Sequence, residues 1–265
     1  MTDPRPEHFV DQGMFVRARR GRSRGTLVCV HGLGESGLCF EGLFDLEPLD
    51  AWNLLVCDLP GYGRSAWRDS TLSLEDQADL LAGWIRERTP APPRVVVGHS
   101  MGGVVGVLLA ERHPDALDLL LNVDGNLSPG DCVFSGRAVE WSAAAFERGG
   151  FDRLRDTVYR QGSRERAQRG YCASLRLADP RQYHRNGGEL VAISTDEGLA
   201  ARMAALAVPT HYVAGVPRGA SPRSRELLDT HGLSWTAIEP AGHWPFLDRP
   251  QDFAGALLDA IALHT

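Results

Sequence analysis

The sequence contains no lysine, so all 28 of its basic residues are arginine. They are outnumbered by 34 acidic residues, which gives a formal net charge of −6. Because nucleic-acid binding rests on basic side chains that neutralise phosphates, we do not expect a nucleic-acid partner. With 265 residues, of which 43% are hydrophobic, the chain is predicted to form one large globular domain with room for an insertion.

The sequence also lacks membrane, disulfide and cofactor signals. No apolar run approaches the roughly 18 residues that a membrane span needs, and residues 1–12 are polar, without the apolar core of a signal peptide. The five cysteines are an odd number without C-x-x-C spacing, as in reduced proteins. We therefore expect a cytoplasmic protein without a membrane anchor. Since the sequence has no metal-ligand spacing, no P-loop and no G-x-G-x-x-G between strand and helix, we expect no metal and no cofactor.

Short apolar runs alternate with helical patterns in the first half of the chain, which predicts parallel strands joined by crossover helices. Ser73 followed by Asp76 has the spacing of a helix capping box. Residues 101–113 are apolar nearly all round and end at Pro114, as in a helix buried against a sheet. Strands are predicted at residues 26–30, 53–57, 94–97, 117–123, 210–214 and 233–238, and a last amphipathic helix at 250–263.

The alternation stops after residue 125, where helical patterns rich in arginine and aromatic residues take over. Helical stretches are predicted there at 140–146, 151–159 and 164–177. We interpret this part of the chain as a helical cap inserted into an α/β core. The predicted division is a first core segment of residues 1–125, a cap of residues 126–205 and a second core segment of residues 206–265.

The chemistry is indicated by Gly98, His99, Ser100, Met101 and Gly102, a G-x-S-x-G motif between a predicted strand and a predicted helix. In this context the serine sits on a sharp turn, the nucleophile elbow, and its hydroxyl projects beyond the C-terminal edge of the sheet. The N–H groups that open the following helix favour a developing oxyanion. We predict that Ser100 is a nucleophile, whereas His99 is expected to pack beneath the turn.

A serine hydroxyl is a weak nucleophile that needs a histidine base, and the histidine needs a carboxylate that orients it. His243 lies after the last predicted strand and before the last predicted helix, where its side chain can reach back over the sheet edge. We predict that His243 is the base. The alternative is a purely structural role in this loop.

These motifs resemble those of the α/β-hydrolases, and the resemblance covers the core almost throughout. The HGLG sequence at residues 31–34 resembles the oxyanion loop of that family, and the DLPGYGRS sequence at residues 58–65 resembles a turn that its members carry after the next strand. The resemblance implies a mostly parallel central sheet flanked by helices, with an inserted α-helical cap. It also implies an oxyanion hole formed by the backbone N–H groups of Leu33 and Met101.

The position of the acid departs from the commonest pattern of the family. Residues 214–221, which follow the penultimate predicted strand, contain no aspartate or glutamate. Asp124 directly follows the preceding strand, a position that some members, such as certain haloalkane dehalogenases, use for the acid. Because neighbouring strands end along one sheet edge, Asp124 can face His243, and we predict that it orients the base. The alternatives are a turn-capping role with Gly125, an acid in the cap such as Asp196 or Glu197, or no acid at all.

A cap over the serine would exclude bulk water and line the pocket with apolar and aromatic side chains. A cap also needs its own core, so part of its aromatic residues is expected to lie there instead. The basic stretch of residues 148–169, with seven arginines against three acids, could meet an acyl carrier protein, although a solvated helix face is the simpler interpretation. The predicted pocket residues are Trp244, Phe134, Trp141 and Phe146.

We predict a cofactor-independent serine hydrolase that cleaves a carboxylic ester, thioester or lactone of a small organic substrate through Ser100, His243 and Asp124. An epoxide hydrolase or a dehalogenase would need a carboxylate nucleophile at the elbow, whereas hydrolysis of a carbon–carbon bond in a diketone stays open. The alternative from another class is a ligand-binding or non-hydrolytic biosynthetic member of the family, because a fold does not determine a function.

Overall fold

A single eight-stranded sheet organises the fold in the computed structural model, which describes residues 6–22, 24–89, 91–162 and 165–264. The strands are β1 (Glu7–Asp11), β2 (Met14–Arg19), β3 (Thr26–Val30), β4 (Asn53–Asp58), β5 (Arg94–His99), β6 (Leu119–Val123), β7 (Thr210–Arg218) and β8 (Trp235–Gly242). Across the sheet they lie in the order β1-β2-β4-β3-β5-β6-β7-β8. Strands β3 to β8 run parallel, and β1 and β2 form an antiparallel edge. The predicted mostly parallel sheet is confirmed.

The central strands are buried because their sequences are continuously apolar. Every residue of β3 and of β6 is buried. In β5, Val96 pairs with Val28 on one side and with Leu120 on the other, as in parallel sheets that are covered on both faces. The carboxyl ends of β5, β6 and β8 lie along the same edge of the sheet, so the residues that directly follow these strands come close together.

Helices connect the strands, and the first of them begins at the predicted cap. Ser73 caps α1 (Leu74–Arg88): its side chain accepts a hydrogen bond from the N–H of Asp76 at 3.0 Å, and the Asp76 carboxylate accepts one from the N–H of Ser73 at 2.8 Å. Further helices are α2 (Met101–Arg112), α3 (Ser135–Val139), α4 (Ala143–Ala145), α5 (Phe151–Gly162), α6 (Arg166–Leu175), α7 (Pro180–Asp196), α8 (Leu199–Ala204), α9 (Pro222–Thr230), α10 (Pro245–Asp248) and α11 (Pro250–His264).

Helix α2 is apolar nearly all round because it is buried from Met101 to Ala110. It begins one residue after β5 and lies against the end of β3. A Cβ atom on Gly102 would lie only 2.1 Å from the carbonyl oxygen of Val30, so this position requires glycine. The close approach brings the N-terminus of α2 next to the loop that follows β3.

The chain between β6 and β7 is helical and contains α3 to α8, with a π-helical turn at Phe146–Gly150. Helix α7 packs against α3. Phe146 stacks on Tyr183 of α7 with their ring centroids 5.7 Å apart, and the ring of Phe151 lies 5.4 Å from that of Tyr183. These helices therefore have an aromatic core of their own.

The sequence-based prediction lacks β1, β2, α3 and α7 to α10, and in two cases the sequence shows the reason. The first is the hairpin of β1 and β2, because β1 is an exposed edge strand that mixes polar and apolar residues without clear alternation. Its turn is formed by Gln12 and Gly13, whose φ angles of +50° and +80° suit a two-residue hairpin loop. The second is α7, where Gly187 and Gly188 weaken the helical pattern.

Other boundaries are displaced by a few residues. Strand β7 continues to Arg218, four residues beyond its predicted end at 214. Strand β6 begins at Leu119 rather than at the predicted 117. Residues 1–5 of the first predicted core segment, and Arg164 of the predicted 164–177 helix and of the basic stretch, lie outside the described part of the chain.

Candidate active site

Ser100 occupies a strained backbone turn at the end of β5. Its φ is +53° and its ψ is −116°, outside the regions that L-residues favour. The turn needs its flanking glycines, since a Cβ atom on Gly98 would lie 2.3 Å from the carbonyl oxygen of Gly102. The Ser100 N–H donates to the carbonyl oxygen of Val123 at 2.9 Å, which joins the turn to β6. The Ser100 side chain is half-buried and lines a small cavity of about 20 Å³.

His243 directly follows β8 and lines the same cavity as Ser100. Its backbone carbonyl accepts a hydrogen bond from Nε2 of His99 at 2.7 Å, which joins the loop after β8 to the end of β5. Burial lowers the pKa of His243, and the nearby charge of His99 lowers it further, although 20% of the side chain is exposed. The ring is therefore neutral at pH 7, which is the form that can accept a proton.

Asp124 directly follows β6 in a left-handed backbone conformation with φ of +47°. Its Oδ1 accepts hydrogen bonds from the N–H groups of Gly215 at 3.0 Å and Ala220 at 2.9 Å. Its Oδ2 is buried with no hydrogen-bond partner among the described residues and lies 3.7 Å from Nδ1 of His243. Burial raises the pKa of Asp124, and the two backbone N–H groups oppose that rise. Oδ2 is thus an acceptor that is available to the histidine.

The loop after β7, which contains no acid, surrounds the carboxylate of Asp124 instead. A Cβ atom on Gly219 would lie 2.2 Å from Oδ2 of Asp124, so glycine at this position leaves the space that the carboxylate occupies. The acids considered as alternatives in the helical segment lie elsewhere. Asp196 ends α7, and Glu197 forms an ion pair with Arg223 at 2.6 Å.

The turn after β3 and the start of α2 lie beside the serine. In this turn the N–H of Glu35 donates to the carbonyl oxygen of Gly32 at 3.1 Å. A Cβ atom on Gly32 would lie 3.1 Å from Cβ of Ser100, so the turn borders the serine directly. Leu33 lines the cavity, and Met101 is the first residue of α2, where a backbone N–H has no acceptor within the helix. Both predicted oxyanion residues are therefore adjacent to Ser100 in the fold.

The structure separates the four predicted pocket residues into two pairs. Trp244 and Phe134 line the cavity around Ser100, with their ring centroids 6.1 Å apart. Phe146 is instead fully buried in the aromatic core of the helical segment, and Trp141 packs under the guanidinium group of Arg153. The helical segment has to bury aromatic side chains of its own, which removes this second pair from the pocket.

Several residues that line the cavity are not among the predicted site residues. Asn126 and Asp131 belong to the segment after β6, while Tyr171 and Leu190 belong to α6 and α7. Their sequence positions carry no motif, because folding of the helical segment is what brings them to the serine. Glu35 is a different case, since a charged residue directly after the HGLG sequence was a visible signal.

A larger cavity of about 580 Å³ adjoins the small one on the side of His243. Its rim includes Glu165 and Arg218, whose charged groups lie 3.5 Å apart. A ligand too large for the space at Ser100 would therefore extend past His243 toward this rim. The residues that line both cavities are Asp131, Phe134, His243 and Trp244.

The described residues form neither a membrane-spanning helix nor a metal site. Within the described ranges, no helix is long and apolar enough to cross a bilayer. The same residues contain no group of three or more His, Cys, Asp or Glu side chains that could hold a metal ion. The five cysteines are free thiols.

Known proteins resemble this chain in sequence. A family model described as alpha/beta hydrolase fold matches residues 25–250. The pimeloyl-(acyl-carrier protein) methyl ester esterase of Pectobacterium carotovorum subsp. carotovorum is 30% identical over 250 residues, which cover 88% of this chain and 92% of that protein. The dihydrolipoyllysine-residue acetyltransferase component of the acetoin cleaving system of Cupriavidus necator is 38% identical over 131 residues, or 48% of this chain. This chain matches only 34% of the length of that second relative.

Solved structures share the same architecture. A thermophilic esterase from Thermogutta terrifontis superposes with a TM-score of 0.76, covering 98% of this chain and 100% of that one. The two sequences are 20% identical. At this identity the likeness shows the fold alone.

Proposed function

Since this chain belongs to the α/β-hydrolase fold family, we propose that it is a serine hydrolase of small carboxylic esters, with thioesters and lactones as chemically related substrates. One observation carries the proposal: the buried Oδ2 of Asp124, which has no hydrogen-bond partner in the described part of the chain, lies 3.7 Å from Nδ1 of His243, whose ring lines the cavity of Ser100. A buried carboxylate oxygen without a partner is costly, and a hydrogen bond from Nδ1 would remove that cost. With Nδ1 directed to Asp124, Nε2 is the ring nitrogen that is left to act on the serine.

The proposed reaction has two stages. In the first, Ser100 attacks the ester carbonyl while Nε2 of His243 takes the hydroxyl proton, and the backbone N–H groups of Leu33 and Met101 stabilise the oxyanion. The carbon–oxygen bond of the ester then breaks, and His243 returns the proton to the leaving alcohol. In the second stage His243 takes a proton from water, the resulting hydroxide attacks the acyl-enzyme, and Ser100 is released with its proton. Asp124 stabilises the imidazolium in both stages.

We also propose that residues 126–205 act as a cap over this site. Phe134, Tyr171 and Leu190 of this segment line the cavity that contains Ser100. Side chains from the segment therefore exclude bulk water from the serine and set the space for the acyl group. The narrow cavity of about 20 Å³ favours small groups next to the reacting carbon, with the remainder of the substrate in the larger adjoining cavity.

A carrier-linked acyl substrate is a second candidate within the same reaction class. The name of the Pectobacterium relative refers to an acyl carrier protein, and the stretch of residues 148–169 is rich in arginine. Acyl carrier surfaces that are acidic would be attracted to such a stretch. A substrate screen should therefore compare monomethyl esters of free dicarboxylic acids with the same monomethyl esters linked to a carrier protein through the second carboxyl group. A higher kcat/KM for the carrier-linked ester would favour this candidate.

Covalent labelling tests the proposed nucleophile without knowledge of the substrate. A fluorophosphonate is expected to add once to the full chain, on Ser100, because only an activated serine is phosphonylated rapidly. Intact-mass analysis measures the addition, and the Ser100→Ala variant is the control that should stay unlabelled. If the folded wild type is not labelled, the hydrolase proposal fails and a ligand-binding or non-hydrolytic role is favoured.

The pH dependence of kcat/KM tests the state of the base. Burial and the charge of His99 lower the pKa of His243, and Glu35 and Asp124 are the acidic groups that face it. Since His243 acts only when neutral, a lowered pKa keeps it active at lower pH. We therefore expect the acidic limb of the profile below about pH 6.5, the ordinary pKa of histidine, with an apparent pKa that belongs to the Asp124–His243 pair. An acidic limb at pH 7 or above would contradict this placement of the base.

A further inference from the structure

A buried carboxylate outside the proposed triad contacts three loops of the site. Glu35 is 2% exposed. Its Oε2 accepts a hydrogen bond from the N–H of Gly32 at 2.8 Å and lies 2.7 Å from Nδ1 of His99. Its Oε1 accepts a hydrogen bond from the indole N–H of Trp244. Gly32 belongs to the turn after β3, His99 ends β5 and Trp244 lies in the loop after β8, so one side chain joins all three.

The N–H groups of Gly32 and Trp244 both donate to Glu35, which favours an ionised carboxylate. Burial alone would raise the pKa of Glu35, but the charge of His99 and hydrogen bonds from His99, Trp244 and Gly32 lower it to about 2. Glutamine could not replace it, because its NH₂ group would face either the indole N–H of Trp244 or the N–H of Gly32, a donor against a donor. Position 35 therefore needs a side chain that has the length of glutamate and a negative charge.

His99 is held between two hydrogen-bond acceptors. Its Nδ1 faces the Glu35 carboxylate, and its Nε2 lies 2.7 Å from the backbone carbonyl oxygen of His243, which can only accept. The His99 side chain is 1% exposed. A neutral imidazole has one N–H, so it can donate only one of these two bonds. With Glu35 ionised, both bonds form when His99 carries both ring protons.

Three titratable side chains next to Glu35 and His99 add no charge to the pair. The ring of His243 lies 4.7 Å from that of His99, between centroids, and a lowered pKa keeps it neutral. His31 and Cys39 lie near Glu35; burial lowers the pKa of His31 and raises that of Cys39, so both are uncharged at neutral pH. Glu35 is therefore the charge partner of His99.

We propose that Glu35 and His99 form a buried carboxylate–imidazolium pair that positions His243 and the turn after β3 around Ser100. This inference rests on the proposed function, in which His243 is the base. The charged His99 ring holds the backbone carbonyl of His243, while Glu35 holds both His99 and the N–H of Gly32. Glu35 touches no reacting atom and is a positioning residue. A shift of about 1 Å in such groups lowers rates strongly, so removing the pair should lower kcat more than it changes KM.

The protonation state of His99 tests the pair without any substrate. In the full chain labelled with ¹⁵N at histidine, we expect NMR to show a proton on each ring nitrogen of His99, because Nδ1 faces the Glu35 carboxylate and Nε2 faces a carbonyl oxygen. The signal is assigned through its couplings to the backbone, with His99→Gln as confirmation. In Glu35→Gln we expect loss of the doubly protonated signal. A neutral His99 ring in the wild type would overturn the proposal.

Kinetics separate positioning from a general loss of structure. We expect Glu35→Gln to lower kcat about 10- to 100-fold, with KM changed less than about twofold. Glu35→Asp keeps the charge, and we expect it to restore the doubly protonated His99 signal and part of kcat. The matched control is Glu41→Gln on the same loop, whose carboxylate is 52% exposed and for which we expect kcat within about twofold of wild type. Wild-type kcat in a folded Glu35→Gln variant would overturn the positioning role.

The two proposals fail in different ways. If Ser100 is labelled rapidly by the fluorophosphonate but NMR shows a proton on only one ring nitrogen of His99, the pair is overturned and the hydrolase function stands. If Ser100 is not labelled, the function is overturned, and with it the positioning role, whatever the NMR signal shows. If Glu35→Gln does not fold, the wild-type NMR signal and the Glu35→Asp variant decide the question.

Discussion

Replacing His243 by glutamine is expected to lower kcat by about 10³-fold or more, because an amide cannot take the proton of Ser100. The loop should keep its place, since the hydrogen bond from His99 goes to the backbone carbonyl of residue 243, which this substitution keeps. Steady-state kcat on a small ester, or the rate of fluorophosphonate labelling, measures the loss. Circular dichroism and thermal unfolding of the same samples show that the variant is folded.

The matched control for this variant lies at the other end of the same strand. His231 lies before β8, whereas His243 lies after it. The backbone N–H of His231 donates to the carbonyl oxygen of Leu227 in α9. We expect His231→Gln to keep kcat within about twofold of wild type, as is usual for substitutions away from a site. A His243→Gln variant that retains a tenth of wild-type kcat would remove His243 from the role of base.

Asp124→Asn is expected to lower kcat by about 10²- to 10⁴-fold while the fold persists. Oδ1 of Asp124 accepts two backbone N–H groups, so the carbonyl oxygen of an asparagine has to take that place. The NH₂ group of the asparagine then faces Nδ1 of His243 and donates to it. This fixes the histidine with its proton on Nε2, where it can no longer accept the proton of Ser100.

The control for this variant is Asp118→Asn. Asp118 lies directly before β6, and Asp124 lies directly after it. Asp118 forms an ion pair with Arg94 at 3.1 Å, far along the strand from the serine. We expect its kcat within about twofold of wild type, with at most a small loss of thermal stability. If Asp124→Asn turns over as fast as Asp118→Asn, then Asp124 has a turn-capping role only.

The elements around Ser100 could be predicted because their signals are local. The apolar run of β3 and the capping box at Ser73 each depend on residues within a few positions of one another. The G-x-S-x-G motif indicates a nucleophile elbow because a strand precedes it and a helix follows it. The family resemblance then extends these local signals to a mostly parallel central sheet flanked by helices, which no single element specifies.

The remaining parts depend on contacts between residues far apart in sequence. Phe146 and Phe134 look alike in the sequence, yet one fills the core of the helical segment and the other faces the serine, because α7 packs against α3. The polar contacts of Glu35 include residues 99 and 244, which lie far from it in the sequence and become its neighbours only in the folded sheet. Strand β1 lies exposed at the sheet edge, so its sequence does not need to alternate between polar and apolar residues.

The glycines around the Asp124 carboxylate have a consequence for the evolutionary history of this site. A side chain at position 219 would overlap Oδ2 of Asp124, so an acid placed there by a single substitution collides with the acid already present. Removing Asp124 first would leave the histidine without a partner. Each single step is therefore harmful and the pair of steps is coupled, which is sign epistasis. Moving the acid from the end of β6 to position 219 therefore requires both substitutions together.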